Sequence, residues 1–163
     1  MTLRPATAAD HDAIWSIFHA VIASGDTYVF DPAMSREAAL AYWFHEGTRP
    51  WVAEAGGIIA GTFILKANNP GLGSHVANAA FMVSPAARGL GTGKLMASHC
   101  LDEARRLGFR AMQFNFVVST NTTAVRLWQQ LGFRIIGTLP GAYRHSRLGY
   151  VDAHVMFRSL LED

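Results

Sequence analysis

The sequence predicts an α/β fold, a mixed and mostly antiparallel central sheet flanked by helices. Three observations carry this. Apolar residues recur at every second place in some stretches and at every third or fourth in others, and the two periods alternate along the chain. Gly56-Gly57 separates two strand-like runs, a strong hairpin signal. A turn with Gly89, Gly91 and Gly93 then joins an apolar run to a helical pattern.

Residues 2–6 read as the first strand. Residues 8–23 follow as a helix, with Ile14, Ile17, Phe18, Val21 and Ile22 on one face. Ser24 to Pro32 is turn-rich and contains Asp26, Tyr28, Phe30 and Asp31. Ser35 is a simple cap for a helix running to about His45; a capping box would need an acid or amide where Ala38 stands. Trp51–Ala55 and Ile58–Lys66 form the hairpin around Gly56-Gly57, and Asn68 to Ser74 is a loop. His75–Val83 is the strand before the glycine turn and 91–107 the helix after it. Arg110–Val118 reads as a strand with Met112, Phe114 and Phe116 on one face and Gln113 and Asn115 on the other. Asn121 caps a helix over 121–131, and Gly132 ends it. A strand at 133–138, a loop around Pro140-Gly141 and a last strand near 149–158 complete the order.

At 163 residues, half of them hydrophobic, the chain is expected to be one domain over 1–163 with a sizeable core. No apolar run approaches the ~20 residues of a membrane helix, so no membrane partner is expected. Arg4, Pro5, Asp10, His11 and Asp12 come too early for a signal-peptide apolar segment, and the cytoplasm is the expected compartment. Cys100, the single cysteine, falls in a helical stripe with Met96, Ala104 and Leu107 and reads as a small core residue. Residues 1–54 carry seven carboxylates against Arg4, Arg36 and Arg49, whereas residues 55–151 carry ten bases against Asp102 and Glu103. No Lys/Arg run or aromatic-basic platform accompanies the basic segment, which argues against nucleic acid and for a phosphorylated cofactor. His11, His19, His45, His99 and His154 show no metal spacing, so no metal is expected.

The stretch Val83-Ser-Pro-Ala-Ala-Arg-Gly-Leu-Gly-Thr-Gly-Lys94 carries the chemistry. Backbone amides bared by glycine at a helix N-terminus hold anions, and the helix dipole adds to the effect. Arg88 and Lys94 bracket the turn with positive charge, an arrangement suited to a diphosphate. A Walker loop is excluded twice, because Arg88 stands where its first glycine belongs and Leu95 where its Ser or Thr belongs. A dinucleotide fingerprint begun at Gly89 would need a third glycine at Lys94.

What the turn does match is R-G-x-G-x-G after a strand ending Val-Ser-Pro, and it resembles the acetyl-CoA pyrophosphate loop of the GNAT superfamily of N-acyltransferases. A second segment, Asn121-Thr-Thr-Ala-Val-Arg-Leu-Trp-Gln-Gln-Leu-Gly-Phe133, is similar to the family's N-x-x-A-x-x-x-Y-x-x-x-G-F, with Trp128 in place of tyrosine. The opening Leu3-Arg-Pro-Ala-Thr-Ala-Ala-Asp10 is GNAT-like too, and the nearest branch is that of the phosphinothricin and L-amino-acid acetyltransferases. The resemblance implies strands splayed apart before the glycine loop and before Asn121, with the thioester of acetyl-CoA between them. It assigns the pantetheine arm to the backbone of Met82 and Val83. The pyrophosphate goes to Arg88, Gly89, Gly91, Thr92, Gly93 and Lys94, assisted by Asn121.

Acyl transfer to an amine needs a deprotonated nucleophile, a stabilised oxyanion and a proton for the leaving thiolate. The resemblance leads one to expect a carboxylate base on the strand before the glycine loop, but Asn78 stands about where the branch has glutamate. The tyrosine acid is replaced by Trp128, whose indole donates hydrogen bonds and not protons. The catalytic candidates are therefore His75, with a suitable intrinsic pKa, together with Asn78 and Trp128. Tyr28, Phe30, Gln113, Asn115 and Tyr143 are the substrate-binding candidates, with His145 beside Tyr143 as a second possible base. These departures keep a non-catalytic acyl-CoA sensor as the competing reading, and a homodimer stays open. An amine of pKa ~10.4 is neutral in about one molecule in 2,500 at pH 7, one near 7.8 in about one in seven. The missing carboxylate thus favours a weakly basic amine on a small, amino-acid-like acceptor, attacked directly in a ternary complex.

Overall fold

The computed structural model describes residues 1–161. Seven strands form one sheet in the order β1-β2-β3-β4-β5-β7-β6. They are β1 (Thr2–Pro5), β2 (Arg49–Ala55), β3 (Ile58–Ala67), β4 (Val76–Val83), β5 (Ala111–Val118), β6 (Arg134–His145) and β7 (Gly149–Ser159). The helices are α1 (His11–Ala23), α2 (Arg36–Trp43), α3 (Thr92–Arg106) and α4 (Thr122–Gln130). Every strand pair is antiparallel except β4–β5.

Two cores form, one on each face of the sheet. Ile14, Ile17, Phe18, Val21 and Ile22 of α1 join Leu40 and Trp43 of α2 over Val52, Ile64 and Met82. Met96, Ala97, Cys100 and Ala104 of α3 pack on the other face over Phe63, Leu65 and Met112, with Trp128 of α4. β3 is covered on both faces, so Ala60 to Leu65 are all buried despite their alternation. Full burial of a side chain such as Phe63 stabilises by about 1.5–3 kcal/mol. Gly61 lets α3 approach closely: a Cβ there would stand 2.8 Å from Met96 Cε and 3.1 Å from the Met82 carbonyl. The one buried polar pair in the first core is satisfied, Trp43 Nε1 donating to Thr62 Oγ1 at 2.9 Å and Thr62 donating to the Trp51 carbonyl at 2.7 Å.

Local signals settle several boundaries. Ser35 Oγ accepts from Ala38 N at 3.2 Å, capping α2. Before α1, a 3-10 turn at Ala8–Asp10 brings Asp10 to Arg4, which donates to both carboxylate oxygens at 2.8 Å. Those hydrogen bonds hold the Asp10 carboxyl well below the usual carboxylate range.

Two expectations are corrected. The alternation in β5 breaks at a register shift between Phe114 and Val117, so Val117 takes the buried place that strict alternation gives Phe116. The chain also does not leave the sheet at Pro140-Gly141. β6 runs on to His145 with a second register shift between Leu139 and Tyr143. Proline is tolerated because β6 is an edge strand, and Gly141 takes φ +58 at the irregularity.

The splay implied by the family likeness is present. β4 and β5 pair only at Val76↔Ala111 and Ala77↔Met112. One residue later Asn78 Nδ2 donates to the Gln113 carbonyl at 2.9 Å in place of a ladder bond, and beyond it the strands part.

Candidate active site

The gap between β4 and β5 opens into two cavities. The larger, about 870 Å³, lies against the start of α3; the smaller, about 280 Å³, lies toward α2 and β3. They share one wall, made of Thr27, Tyr28, Phe81, Asn121, Ala124 and Trp128.

Met82, Val83, Arg88, Gly89, Gly91, Thr92, Gly93, Lys94 and Asn121 all line the larger cavity. The first backbone bond at the head of α3 runs from Leu95 N to Gly91 O at 3.0 Å, so the amides of Thr92, Gly93 and Lys94 precede the helical ladder and are free for an anion. Gly91 caps the helix at φ +79, a conformation glycine adopts without strain. Arg88, Lys94 and Arg126, a residue the sequence reading had not singled out, put positive charge on the rim. Asn121 Oδ1 accepts from Ala124 N at 3.3 Å, which caps α4 and leaves its amide nitrogen for a ligand. A phosphorylated cofactor with a long arm fits this cavity, whose lining combines free amides and cations with apolar side chains such as Met82, Val83 and Leu127.

Tyr28 is the best-held side chain of the shared wall. Its hydroxyl donates to the Phe81 carbonyl at 2.7 Å and accepts from the Phe81 amide at 2.9 Å, inside the splay. Burial pushes the phenol pKa up, so it is held neutral. Tyr143, at 3.1 Å, donates to the Tyr28 carbonyl and thereby braces the 24–34 loop; it lines neither cavity. Its own phenol is also raised by burial. Trp128 is buried against Phe114 (4.6 Å), Phe81 (5.0 Å) and Phe133 (5.9 Å).

The smaller cavity is floored by amides. Gln113 Nε2 donates to Asn115 Oδ1 at 2.9 Å, and Asn115 Nδ2 donates to Asn68 Oδ1 at 2.7 Å. Asn68, Asn78 and Asn115 line the cavity, with Phe30, Tyr42 and Phe116 facing them. Gln113 stands behind Asn115 as its support and is not part of the lining. Lys66 is the cation there. Lys66, Asn68 and Tyr42 escaped the sequence reading; the legible signal was a lysine two places beyond Ile64 on an otherwise apolar strand.

His75 and His145 stand apart from this geometry. His75 is exposed just before β4, its carbonyl accepting from Arg110 N at 2.9 Å, and lines neither cavity. It is six residues before Phe81, about 20 Å at the rise of a strand. His145 is buried, and its Nδ1 accepts from Arg147 N at 3.1 Å and Leu148 N at 3.3 Å. It therefore shapes the β6–β7 turn with the nitrogen a base would need. Asp26, among the described residues, is the carboxylate that lines either cavity; it lines the larger one, hydrogen-bonded by Ser24 Oγ at 2.5 Å. Among the described residues no group of three or more His, Cys, Asp or Glu could hold a metal ion, and no helix is long and apolar enough to cross a membrane.

An open sheet split beside a glycine-opened helix, with a cofactor-sized channel meeting a small cavity, defines an acyl-CoA-dependent transferase. Residues 14–133 match the Acetyltransferase (GNAT) family, and the chain belongs to that family. Two curated relatives bear on its activity. N-acetyltransferase aca1 of Schizosaccharomyces pombe is 35% identical over 151 residues, covering 82% of this chain and 72% of that protein. The L-methionine sulfoximine/L-methionine sulfone acetyltransferase of Salmonella typhimurium is 31% identical over 147 residues, 86% of this chain and 84% of the relative. Among solved structures, a GCN5-related N-acetyltransferase from Kribbella flavida superposes with a TM-score of 0.92 at 46% identity, over 97% of this chain and 96% of that one. The yncA protein of Salmonella typhimurium, solved with its cofactor acetyl-CoA, gives 0.87 at 27% identity over 100% and 95%. The chain is an N-acetyltransferase, and acetyl-CoA is its acyl donor.

Proposed function

We propose that this domain, spanning 1–163, transfers the acetyl group to the amine of a small, amino-acid-like acceptor by direct attack in a ternary complex. The observation that carries the reading is the shared wall: a donor in the larger cavity and an acceptor in the smaller one meet at Phe81, Tyr28 and Trp128. Met82 and Val83 hold the pantetheine arm through their backbone, and Arg88 to Lys94 with Asn121 hold the pyrophosphate. The smaller cavity takes the acceptor among Tyr28, Phe30, Asn78 and Asn115, with Gln113 and Tyr143 as supports behind them. The printed name of the Salmonella relative, an acetyltransferase of amino-acid derivatives, agrees with an acceptor of this size.

The acceptor ammonium first loses a proton to solvent. The neutral amine attacks the thioester carbonyl carbon; the carbon–sulfur bond then breaks, the attacking nitrogen gives up its extra proton and the thiolate takes one up through solvent, leaving amide and thiol. No carboxylate lines the smaller cavity among the described residues, so the deprotonation is a property of the acceptor and its surroundings. Asn78 Oδ1 is left free by the bond from its Nδ2 to Gln113 and accepts from the amine. The Phe81 amide and the Tyr28 hydroxyl spend their protons on the pair of bonds between the two residues, so they fix the wall beside the reacting carbonyl and are not donors to the developing oxyanion. Trp128 shapes the thioester's surroundings and carries no proton.

The cytoplasm is the proposed compartment. A second copy of the chain is proposed to cover the edge strand β6, where Ile135, Ile136 and Leu139 are exposed. The test of the reading is CoA release with a panel of free amino acids, peptides and polyamines. Turnover confined to small amino acids supports it; turnover confined to peptides or polyamines overturns it.

A further inference from the structure

Lys66 is the charged side chain of the smaller cavity, and nothing among the described residues neutralises it. Its ammonium stands 5.2 Å from the centroid of the Tyr42 ring, whose face steadies a cation without cancelling its charge. The side chain is half-buried among amides and aromatic rings, where a charge without a counter-ion is costly and an anion is attracted strongly. Lys66 and Asn78 are also direct partners across β3 and β4. Such partners have Cα atoms about 4.5–5.5 Å apart and project to the same face of the sheet.

We propose that Lys66 binds a carboxylate that the acceptor carries beside its amine, so that the acceptor class is free α-amino acids with small uncharged side chains. The inference rests on the smaller cavity being the acceptor site. One carbon separates amine and carboxylate in an α-amino acid. With the carboxylate on Lys66, the amine falls beside Asn78 Oδ1, its cross-strand neighbour, and toward the shared wall. Phe30, Tyr42 and Phe116 are then left to face the side chain. The same cation has a second consequence. A positive charge close to an ammonium disfavours its charged form, so Lys66 lowers the amine pKa and raises the fraction competent to attack. In a cavity without a carboxylate, that is the available means of helping deprotonation. Polyamines are excluded for the converse reason, since each added cation meets Lys66.

The experiment compares L-methionine, L-leucine and L-proline with their carboxamides, and with putrescine, at equal concentrations of neutral amine. It uses the wild type, Lys66→Met and Lys66→Arg, with CoA release as the readout. For at least one pair the wild type is expected to favour the acid at least tenfold in kcat/KM. Lys66→Met should erase that preference by raising KM for the acid at least tenfold more than for the carboxamide, and Lys66→Arg should restore most of it. Thermal melting and acetyl-CoA affinity should be the same in all three proteins. An acid-to-carboxamide ratio that survives Lys66→Met overturns the proposal, as does a wild type that prefers carboxamides or putrescine or turns over no acid. Asn78→Ala separates this from a failure of the acceptor site itself. If it raises KM while Lys66→Met does not, the site stands and the anion contact falls; if neither alters KM for any acceptor, the acceptor lies elsewhere.

Discussion

The two cavities that meet at Phe81 are built by different means. The larger is made at its polar end from backbone: free amides at the head of α3, opened by Gly89, Gly91 and Gly93. The smaller is made from side chains that the 24–34 loop, α2, β3, β4, β5 and α4 bring together. A backbone site depends on where glycines fall and where a helix begins, so it serves one cofactor while the rest of the sequence drifts. A side-chain site changes specificity with one substitution. On the proposed assignment, the donor half of this enzyme is therefore its fixed half and the acceptor half its adjustable one.

The sharpest way to break that contrast is to disable the donor half alone. Gly91 is a poor place to do so, because valine at φ +79 strains the backbone of the unliganded protein as well. Gly93 is better. It has an ordinary helical backbone, and a Cβ there meets Leu127 Cδ2 and Val83 Cγ2 at 3.8 Å, normal contacts. Gly93→Val should cut CoA affinity by at least about tenfold, equivalent to ~1.4 kcal/mol, with melting nearly unchanged. Calorimetry and a melting curve check both; unchanged affinity would place the cofactor elsewhere.

Tyr28→Phe acts on the wall both halves share. It strips two hydrogen bonds from the Phe81 backbone, and each unsatisfied buried group costs about 1–3 kcal/mol. Melting should fall by several degrees, and kcat/KM should drop about tenfold for every acceptor, since the substitution touches no group that distinguishes them. An effect on one acceptor only would move Tyr28 from the wall into the acceptor half. Trp128→Phe should do least, a few-fold at most, because packing on Phe81, Phe114 and Phe133 is what it loses. Trp128→Tyr should be tolerated as well. A loss of a hundredfold or more in Trp128→Phe, read by steady-state kinetics, would mean the indole N–H contacts the reacting group.

The same contrast explains what the sequence reveals and what it hides. The glycine turn, the Ser35 cap and the Gly56-Gly57 hairpin are contiguous signals, each set by neighbours in the chain, and they read directly. The acceptor wall is not contiguous. Lys66 and Asn78 become partners only through the register of β3 on β4, and Asn68, just after β3, meets Asn115 of β5 only through the fold of the sheet. Tyr143 and His145 follow the loop signal of Pro140-Gly141, and the sequence offered them as a substrate-binding candidate and a possible base. They are buried because the 24–28 turn folds over them, with Ser146 N donating to Gly25 O and Ser146 Oγ to Ser24 O, both at 3.0 Å. His75 is a residue type suited to proton transfer at an exposed address outside both cavities, which no composition can report.

The central claim is that donor and acceptor meet at a wall with no carboxylate base, so the acceptor amine sets its own protonation. The direct test is kcat/KM against pH for two acceptors whose amine pKa values differ by about two units. The account predicts profiles that rise with pH and level off at two different values, displaced by about the difference between the amines. Profiles that coincide for both acceptors, levelling at one pH set by the enzyme, would contradict it and make Asp26 the first residue to replace.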